Sequence, residues 1–245
     1  MMRENLLILG AKSDIAMAVA YRFAQEGFDI QLAARNVKTL DTTQSDIQIR
    51  HEVGVALHEF DVLDAENHHY FIGSLETLPT IVICAVGMMD NQDDCDQSVE
   101  TTVLMMRSNF EGPAVVLQCF AQAFQKRGQG TLIGISSCAG ERGRASNYTY
   151  GASKAGLTAF LSGLRNKYFQ DGLLVITVIP GFVHTKMTEK LNLPKMLTVN
   201  TNTVANAIFR AYEKKRDVIY IGWYWLIIMM IIKLIPEKFF KRSHL

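Results

Sequence analysis

The chain has 245 residues, 25 Lys and Arg against 24 Asp and Glu, and a formal net charge of +1, so no basic or acidic field points to a nucleic-acid partner. Hydrophobic residues make up 49%, enough for a sizeable core in one large α/β domain. The four cysteines (Cys84, Cys95, Cys119, Cys138) form no CxxC pair and no metal-ligand spacing, which suits reduced thiols in the cytoplasm.

Asn5 to Leu9 is a short apolar run ending at Gly10 and reads as a buried strand. The run Leu6 to Leu9 is too short for the apolar core of a secretory leader, so none is expected. From Asp14 to Gln25, apolar residues at Ile15, Ala16, Val19, Ala20 and Phe23 follow helical spacing, and Gly27 closes the helix. Phe28 to Ala33 is a second strand. A strand–helix–strand unit of about 30 residues is the unit that binds dinucleotides, with the pyrophosphate at the helix N-terminus. Gly10 can make the tight turn there, Ala16 is small enough for close packing, and Asp14 is a candidate N-cap. Lys12, Ser13 and Ile15 complete the candidate turn. At the end of the second strand stand uncharged Ala34 and then Arg35, where an acid would read the ribose of NAD and an arginine a 2′-phosphate. Arg35 and Lys12 together favour NADP(H) over NAD(H). A solvated strand-end residue is the alternative reading of Arg35.

Further along, Val37 to Glu52 reads as a helix and Val55 to Phe60 as a strand delivering Asp61 and Val62. Asp64 to Leu75 is a helix, and Thr80 to Ala85 a strand leading to Gly87, where a ligand can approach the backbone. Val99 to Gln125 has helical spacing with Asn109 near its middle, an unfavourable place for asparagine unless it bonds neighbouring backbone. Thr131 to Ser136 is a strand, Tyr148 to Phe169 a helix, and Leu173 to Ile179 a continuous apolar strand broken by Pro180-Gly181. Asn202 to Lys215 is a helix and Val218 to Ile221 a last short strand. The alternation predicts an α/β fold: a doubly wound, Rossmann-type parallel sheet of about seven strands with helices on both faces. Gly10, Arg35, Asp61, Gly87, Ser137 and Pro180 all follow strands and should converge on one edge of that sheet.

The chemistry centres on Ser137 to Lys154. Tyr150 and Lys154 are four residues apart, about one helical turn, and so share a helix face. A phenol titrates near ~10. A neighbouring ammonium should lower that value and fit the pair for acid–base work. Ser137, thirteen residues before the tyrosine, could hold a carbonyl or alcohol oxygen beside it. Alone, such a Tyr/Lys pair is also compatible with surface decoration.

With these residues in place the chain resembles the short-chain dehydrogenase/reductases over roughly residues 3 to 221. The resemblance rests on Ser137, Tyr150 and Lys154, with Asn109 and the segment Pro180-Gly181-Phe182-Val183-His184-Thr185 in support. The family's Gly-x-x-x-Gly-x-Gly loop falls on Gly10, Asp14 and Ala16, so two of three glycines are missing. Its Asn-Asn-Ala-Gly segment falls on Cys84-Ala85-Val86-Gly87, where only the last residue agrees. The resemblance implies that Tyr150 is the general acid or base, and that Lys154 tunes it and binds the nicotinamide ribose. It implies that Ser137 positions the carbonyl and Asn109 holds a water behind Lys154. Asp61 and Val62 would flank the adenine, and Pro180, Gly181, Val183 and Thr185 would meet the carboxamide. The implied enzyme interconverts a ketone and a secondary alcohol with NADP(H), and assembles as a homodimer or homotetramer. A non-catalytic nucleotide-binding protein on the same fold is the alternative, favoured by the altered loop at Asp14.

Beyond the domain 1–221 lies a tail, 222–245. Val218 to Ile232 runs for fifteen residues without a charge, followed by Lys233, Lys238, Lys241 and Arg242. A spanning helix needs about 20 apolar residues. The expectation is therefore a helix lying in the interface of the cytoplasmic leaflet, with a subunit interface as the alternative. The segment Thr185 to Thr201 pairs Met187, Leu191, Leu193, Met196 and Leu197 with Lys186, Lys190 and Lys195, suggesting an apolar pocket with a basic rim. The tail and the glycine-poor loop at Gly10, Asp14 and Ala16 are loosely similar to the decaprenylphosphoryl-ribose 2-keto-reductase branch, which hints at a lipid-linked or membrane-borne ketone.

Overall fold

The structure is a computed structural model that describes residues 3–189 and 191–243; Lys190 lies outside the described residues. The strands are β1 (Asn5–Leu9), β2 (Asp29–Ala34), β3 (Val55–Glu59), β4 (Ile81–Cys84), β5 (Gly130–Ile135), β6 (Leu173–Pro180), a two-residue ladder of β7 (Phe182–Val183) with β8 (Thr198–Val199), and β9 (Val218–Ile221). Seven of them form one all-parallel sheet in the order β3-β2-β1-β4-β5-β6-β9. The order reverses between β1 and β4, and in such sheets ligands sit in the crevice at that point, outside the carboxyl ends of the strands.

Strand side chains alternate between two cores. Leu6 and Ile8 pack with Val19, Ala20 and Phe23 of α1 (Asp14–Ala24), Ile47 of α2 (Asp41–His51), and Val204 and Ile208 of α8 (Thr201–Glu213). Leu7 and Leu9 pack with Leu117, Phe120 and Phe124 of α6 (Gly112–Arg127), and Leu157, Leu161 and Leu164 of α7 (Tyr148–Tyr168). Both faces of the sheet are thus covered, which is why its strands read as unbroken apolar runs. Truncating one of these leucines to alanine should cost about 2–5 kcal/mol. Ile72 of α3 (His68–Ser74) joins the second core.

Two departures from the sequence reading bear on the site. The helix expected over 99–125 is α5 (Val99–Met106), a π-helical turn Arg107–Glu111, and then α6. Pro113 has no N–H to give the Asn109 carbonyl, so the α ladder fails there and Gly112 N–H donates to Arg107 O instead. A short helix, α4 (Gln92–Gln97), was not foreseen.

The tail forms α9 (Tyr224–Leu234) and α10 (Glu237–Phe240), separated at Pro236. No helix among the described residues is long and apolar enough to cross a membrane. The inner face of α9 is core: Trp225 and Met229 are buried against Cys138 and Ile179, with Phe182, Leu197 and Tyr220 around them. The tail is therefore packed on the carboxyl edge of β5 and β6 rather than detached from the domain.

Candidate active site

The carboxyl edge of the sheet carries the residues the sequence singled out. The loop leaving β5 lies against the start of α7, and two glycines allow it. A Cβ built on Gly140 would stand 2.6 Å from Ala155 N, and one on Gly151 would stand 2.8 Å from Ala139 O. Ser136 Oγ donates to Lys154 O at 3.0 Å and shares a 2.6 Å hydrogen bond with Thr158 Oγ1. From the other side, Gln92 of α4 accepts from Thr149 N at 3.0 Å and donates to Thr149 Oγ1 at 2.9 Å. The first turn of α7 is thereby fixed.

Ser137 Oγ accepts from Ala139 N at 3.1 Å, and its hydroxyl acts on the Tyr150 phenol to favour the ionised form. Lys154 is 4% exposed; its Nζ donates to the Ile135 carbonyl at 3.1 Å and lies 5.8 Å from the centre of the Tyr150 ring. The expected lowering of the phenol by the ammonium is not found. Desolvation pushes Tyr150 up to about 12, against a lowering by the Ser137 hydroxyl. Burial also brings Lys154 down to about 8, with Cys84 opposing. Burial sets both values, and the ammonium turns to a strand-end carbonyl instead of the phenol. The result is a proton-holding phenol beside an amine that titrates near neutrality.

Asn109, fully buried in the π turn, bonds the backbone as its place in a helix suggested. Its Nδ2 donates to Met88 O at 2.8 Å and Met105 O at 2.9 Å, while its Oδ1 accepts from Met88 N at 3.2 Å. It fixes the loop after β4, and Gly87 lies between it and the lysine. A Cβ on Gly87 would stand 3.0 Å from Asn109 Oδ1 and 3.4 Å from Lys154 Nζ. Gly87, Asn109, Tyr150, Lys154 and Ser137 thus form one cluster.

The nucleotide-turn candidates sit at the neighbouring strand ends. Gly10 has φ +83°, and a Cβ there would stand 2.8 Å from Val86 N, so the turn after β1 can pass this close to the loop after β4 only because position 10 is glycine. Asp14 is not the N-cap. Ser13 holds that position without a side-chain bond, and Asp14 is the first helical residue. Its carboxylate accepts from Lys186 N at 2.6 Å, tying α1 to the segment after β6. The N–H groups of the first turn of α1, including Asp14 and Ile15, have no helical acceptor and are free to meet an anion. An open cleft of about 460 Å³, lined by Asp14, Met17, His184, Thr185, Lys186 and Asn202 among others, lies between α1 and that segment. It borders the turn but not Tyr150.

Arg35 and Lys12 are exposed at the ends of β2 and β1. Next to them is an acid the sequence reading passed over. Glu59 accepts from Asn36 N at 2.6 Å and Val37 N at 2.9 Å, which holds its carboxyl below the usual range with help from Lys12. Asp61 accepts from Leu63 N at 3.0 Å through Oδ1 and is half-buried, and the Val62 side chain is buried in the core. Val183 is buried in β7, and Thr185 is closed into a turn with Thr188, their hydroxyls 3.2 Å apart. Pro180 is the last residue of β6. Gly181 is overlain by the Trp225 indole, whose atoms a Cβ would meet at 2.0 Å. Trp225 has no signal of its own in the sequence; it reads as one more aromatic in an apolar tail.

The donor set fits a dinucleotide: a positive-φ turn, a free helix N-terminus, and a glycine in front of a buried amine. A family model described as short chain dehydrogenase matches residues 4–195. An uncharacterized oxidoreductase of Mycobacterium tuberculosis is 31% identical over 241 residues, 97% of this chain and 96% of the relative. One of Streptomyces coelicolor is 29% identical over 242 residues, 98% and 95% of the two chains. Among solved structures, a short-chain dehydrogenase from Sphingobium yanoikuyae in complex with NADPH superposes with TM-score 0.82 at 21% identity, covering 96% of this chain and 97% of that one. A bulky-bulky ketone specific alcohol dehydrogenase from Comamonas testosteroni superposes with TM-score 0.79 at 20% identity, covering 96% of each chain.

Proposed function

The chain belongs to the short-chain dehydrogenases, and from that premise we propose that it is an NADP(H)-dependent oxidoreductase interconverting a ketone and a secondary alcohol. The observation that carries the reading is the cluster of Ser137, Tyr150 and Lys154 behind Gly87, at the carboxyl edge of the sheet. Bound there, the dinucleotide supplies or accepts the hydride. Tyr150 holds the proton that reaches the carbonyl oxygen in reduction, and Ser137 positions that oxygen beside the phenol. Lys154, charged when protonated, stabilises the phenolate left behind and meets the ribose of the cofactor. Asn109 keeps Gly87 and Met88 in place and leaves one lone pair of Oδ1 for a relay water. Gly10, Lys12, Ser13, Asp14 and Ile15 take the pyrophosphate, Asp61 and Val62 flank the adenine, and Pro180, Gly181, Val183 and Thr185 meet the carboxamide end.

Arg35 and Lys12 support NADP(H) over NAD(H), because Glu59 is occupied by backbone N–H groups. The exposed Met187, Leu191 and Met196, with Lys186 and Lys195 beside them, support an apolar substrate, lipid-linked or otherwise membrane-borne, met at the cytoplasmic face of a membrane. A second reading, a soluble reductase of small ketones that uses the tail as a homodimer or homotetramer contact, draws on the exposed outer side of α9. NADPH oxidation by the purified full chain, followed against a panel of ketones that includes lipid-linked keto-sugars, tests the proposal. Tyr150→Phe should lose about 10²–10⁴-fold in turnover and keep nucleotide affinity. A wild-type protein that binds neither NADPH nor NADH refutes it.

A further inference from the structure

The tail helix has two apolar faces, and only one is used. Trp225 and Met229 are buried inward, while Trp223, Leu226, Ile227, Met230, Ile231 and Leu234 recur at three- and four-residue spacing on the outside. Their exposure runs from 45% at Leu226 to 78% at Leu234, and α10 continues the surface with Phe239 at 63%. A surface helix of a globular protein carries polar residues on that side, and a contiguous exposed apolar patch marks a contact surface.

Charge identifies the occupant. Glu237 is the single acid among residues 222–243, and it is paired with Arg142. Lys233 is paired with Glu141, whereas Lys238, Lys241 and Arg242 are exposed and have no ion pair among the described residues. A second copy would bring the same excess of cations and no spare carboxylate from this segment. Anionic headgroups supply the missing charge, and the acyl boundary receives the apolar stripe. The eleven residues of α9 span about 16 Å, half of a bilayer core, so the helix lies along the surface and does not cross it.

We propose that the outer face of α9 and α10 docks the protein on an anionic lipid bilayer. The inner face of α9 covers Cys138, which follows Ser137, and Gly181, and Leu197 beside exposed Met196 packs on the same helix. Docking therefore brings the bilayer to the end of the sheet that carries Tyr150. The part of this inference that concerns substrate delivery rests on the reductase reading; the lipid contact itself does not.

The test is co-sedimentation of the full chain with vesicles of phosphatidylcholine alone and of phosphatidylcholine mixed with an equal amount of phosphatidylglycerol. Binding is expected to the mixed vesicles and to weaken with salt. Neutralising Lys238, Lys241 and Arg242 to glutamine should weaken it about a hundredfold. The pair Ile227→Glu and Ile231→Glu should abolish it while leaving the melting temperature and the turnover of a water-soluble ketone unchanged. Wild-type protein that stays in the supernatant with mixed vesicles at low salt overturns the proposal. So does a double variant that still sediments but has fallen from dimer to monomer, which would make the stripe a contact between copies. Sedimentation needs no activity, so a protein that docks but reduces no ketone refutes the reductase reading alone.

Discussion

Arg142 holds the Glu237 carboxylate at 2.9 Å through Nη2, and so ties the loop between Ser137 and Tyr150 to the tail. Its Nη1 donates to the carbonyls of Ile232, Lys233 and Ile235 at 2.9, 3.1 and 2.6 Å, and its guanidinium lies 3.9 Å from the centre of the Phe240 ring. These carbonyls lie at the C-terminal end of α9, where a helix runs out of backbone donors, and Ile232 O also takes the Ile235 N–H at 3.3 Å. A single arginine thus caps α9 and stacks on α10. Hydrogen bonds to a charged group contribute about 1.5–3 kcal/mol each. Arg142→Ala should therefore lower the melting temperature and reduce turnover, because the loop holding Ser137 loses its outer support, while nucleotide affinity stays as in wild type. Arg142→Lys should recover only part, since an ammonium has no planar fork or face. Wild-type melting and kcat in Arg142→Ala would show that the loop holds itself.

The buried Lys154 predicts a pH dependence with a definite sign. Its folded value of about 8 lies below the ordinary 10.5, so the folded state binds fewer protons than the unfolded state between those values. The cost of burying the charge is fully present below pH 8 and is relieved as pH rises to 10.5. Relative to Lys154→Met, wild type should gain stability over that window. Reductive kcat/KM should fall as pH rises through about 8, where the amine loses the charge that stabilises a departing phenolate. In Lys154→Arg, which stays protonated, that limb should disappear from the profile of whatever activity remains. Chemical denaturation of wild type and Lys154→Met across the window checks the first part. Parallel curves with no convergence would mean that the lysine is not desolvated as described.

The strands were legible in the amino acids because a sheet covered on both faces turns them into apolar runs such as Leu6 to Leu9. The cluster was legible because Ser137, Tyr150 and Lys154 lie on consecutive elements at fixed spacing. What stayed hidden depends on contacts between distant residues. Spacing sets Tyr150 and Lys154 on one face, but burial decides their protonation, and the Ile135 carbonyl that takes the ammonium is nineteen residues away. A helical period read across 99–125 could not register one residue of widening, although Pro113 was its visible cause. Asp14 had the composition of a cap, yet its carboxylate found a partner 172 residues on, at Lys186. The aromatic tail read as a helix lying in a membrane interface or as a subunit contact, while the inner face of α9 is core. Arg142 sits in an irregular loop, where no periodicity could flag it.

Asn109 predicts that loss of a single side-chain amide will unsettle both the π turn and the loop after β4. Asn109→Ala leaves the N–H and C=O of Met88 and the carbonyl of Met105 without their partner. Each such buried group costs about 1–3 kcal/mol. A melting temperature several degrees lower is expected, with faster amide exchange at Gly87 and Met88 and reduced turnover. Asn109→Asp should fare worse than its size suggests, because a carboxylate has no N–H for the two carbonyls and would be buried. Gly87→Ala should impair turnover more than stability, since its methyl would press on Asn109 Oδ1 and stand 3.4 Å from Lys154 Nζ. Unchanged exchange at Met88 in Asn109→Ala would remove the asparagine from this role.

The choice between the two dinucleotides comes down to who is free at the end of β2. Glu59, the acid at hand, has both carboxylate oxygens on the backbone of the turn, at Asn36 N and Val37 N. Held ionised there, it shapes the turn and leaves Arg35 and Lys12 as the exposed charges. A guanidinium meets a phosphate with paired donors, and a ribose hydroxyl offers it no such match. Arg35→Ser should therefore raise the KM for NADPH at least tenfold and leave that for NADH within about twofold. Lys12→Ala should act in the same direction with a smaller step, because an ammonium is a point charge on a flexible stem. Ala34→Asp on top of Arg35→Ser should turn the preference to NADH by placing an acid beside the ribose hydroxyls. Glu59→Gln should weaken both cofactors alike, as the turn at Asn36 loses a charged acceptor. Initial rates with each dinucleotide at a fixed ketone concentration measure all four, and a wild type that uses NADH as readily as NADPH would put the selectivity elsewhere.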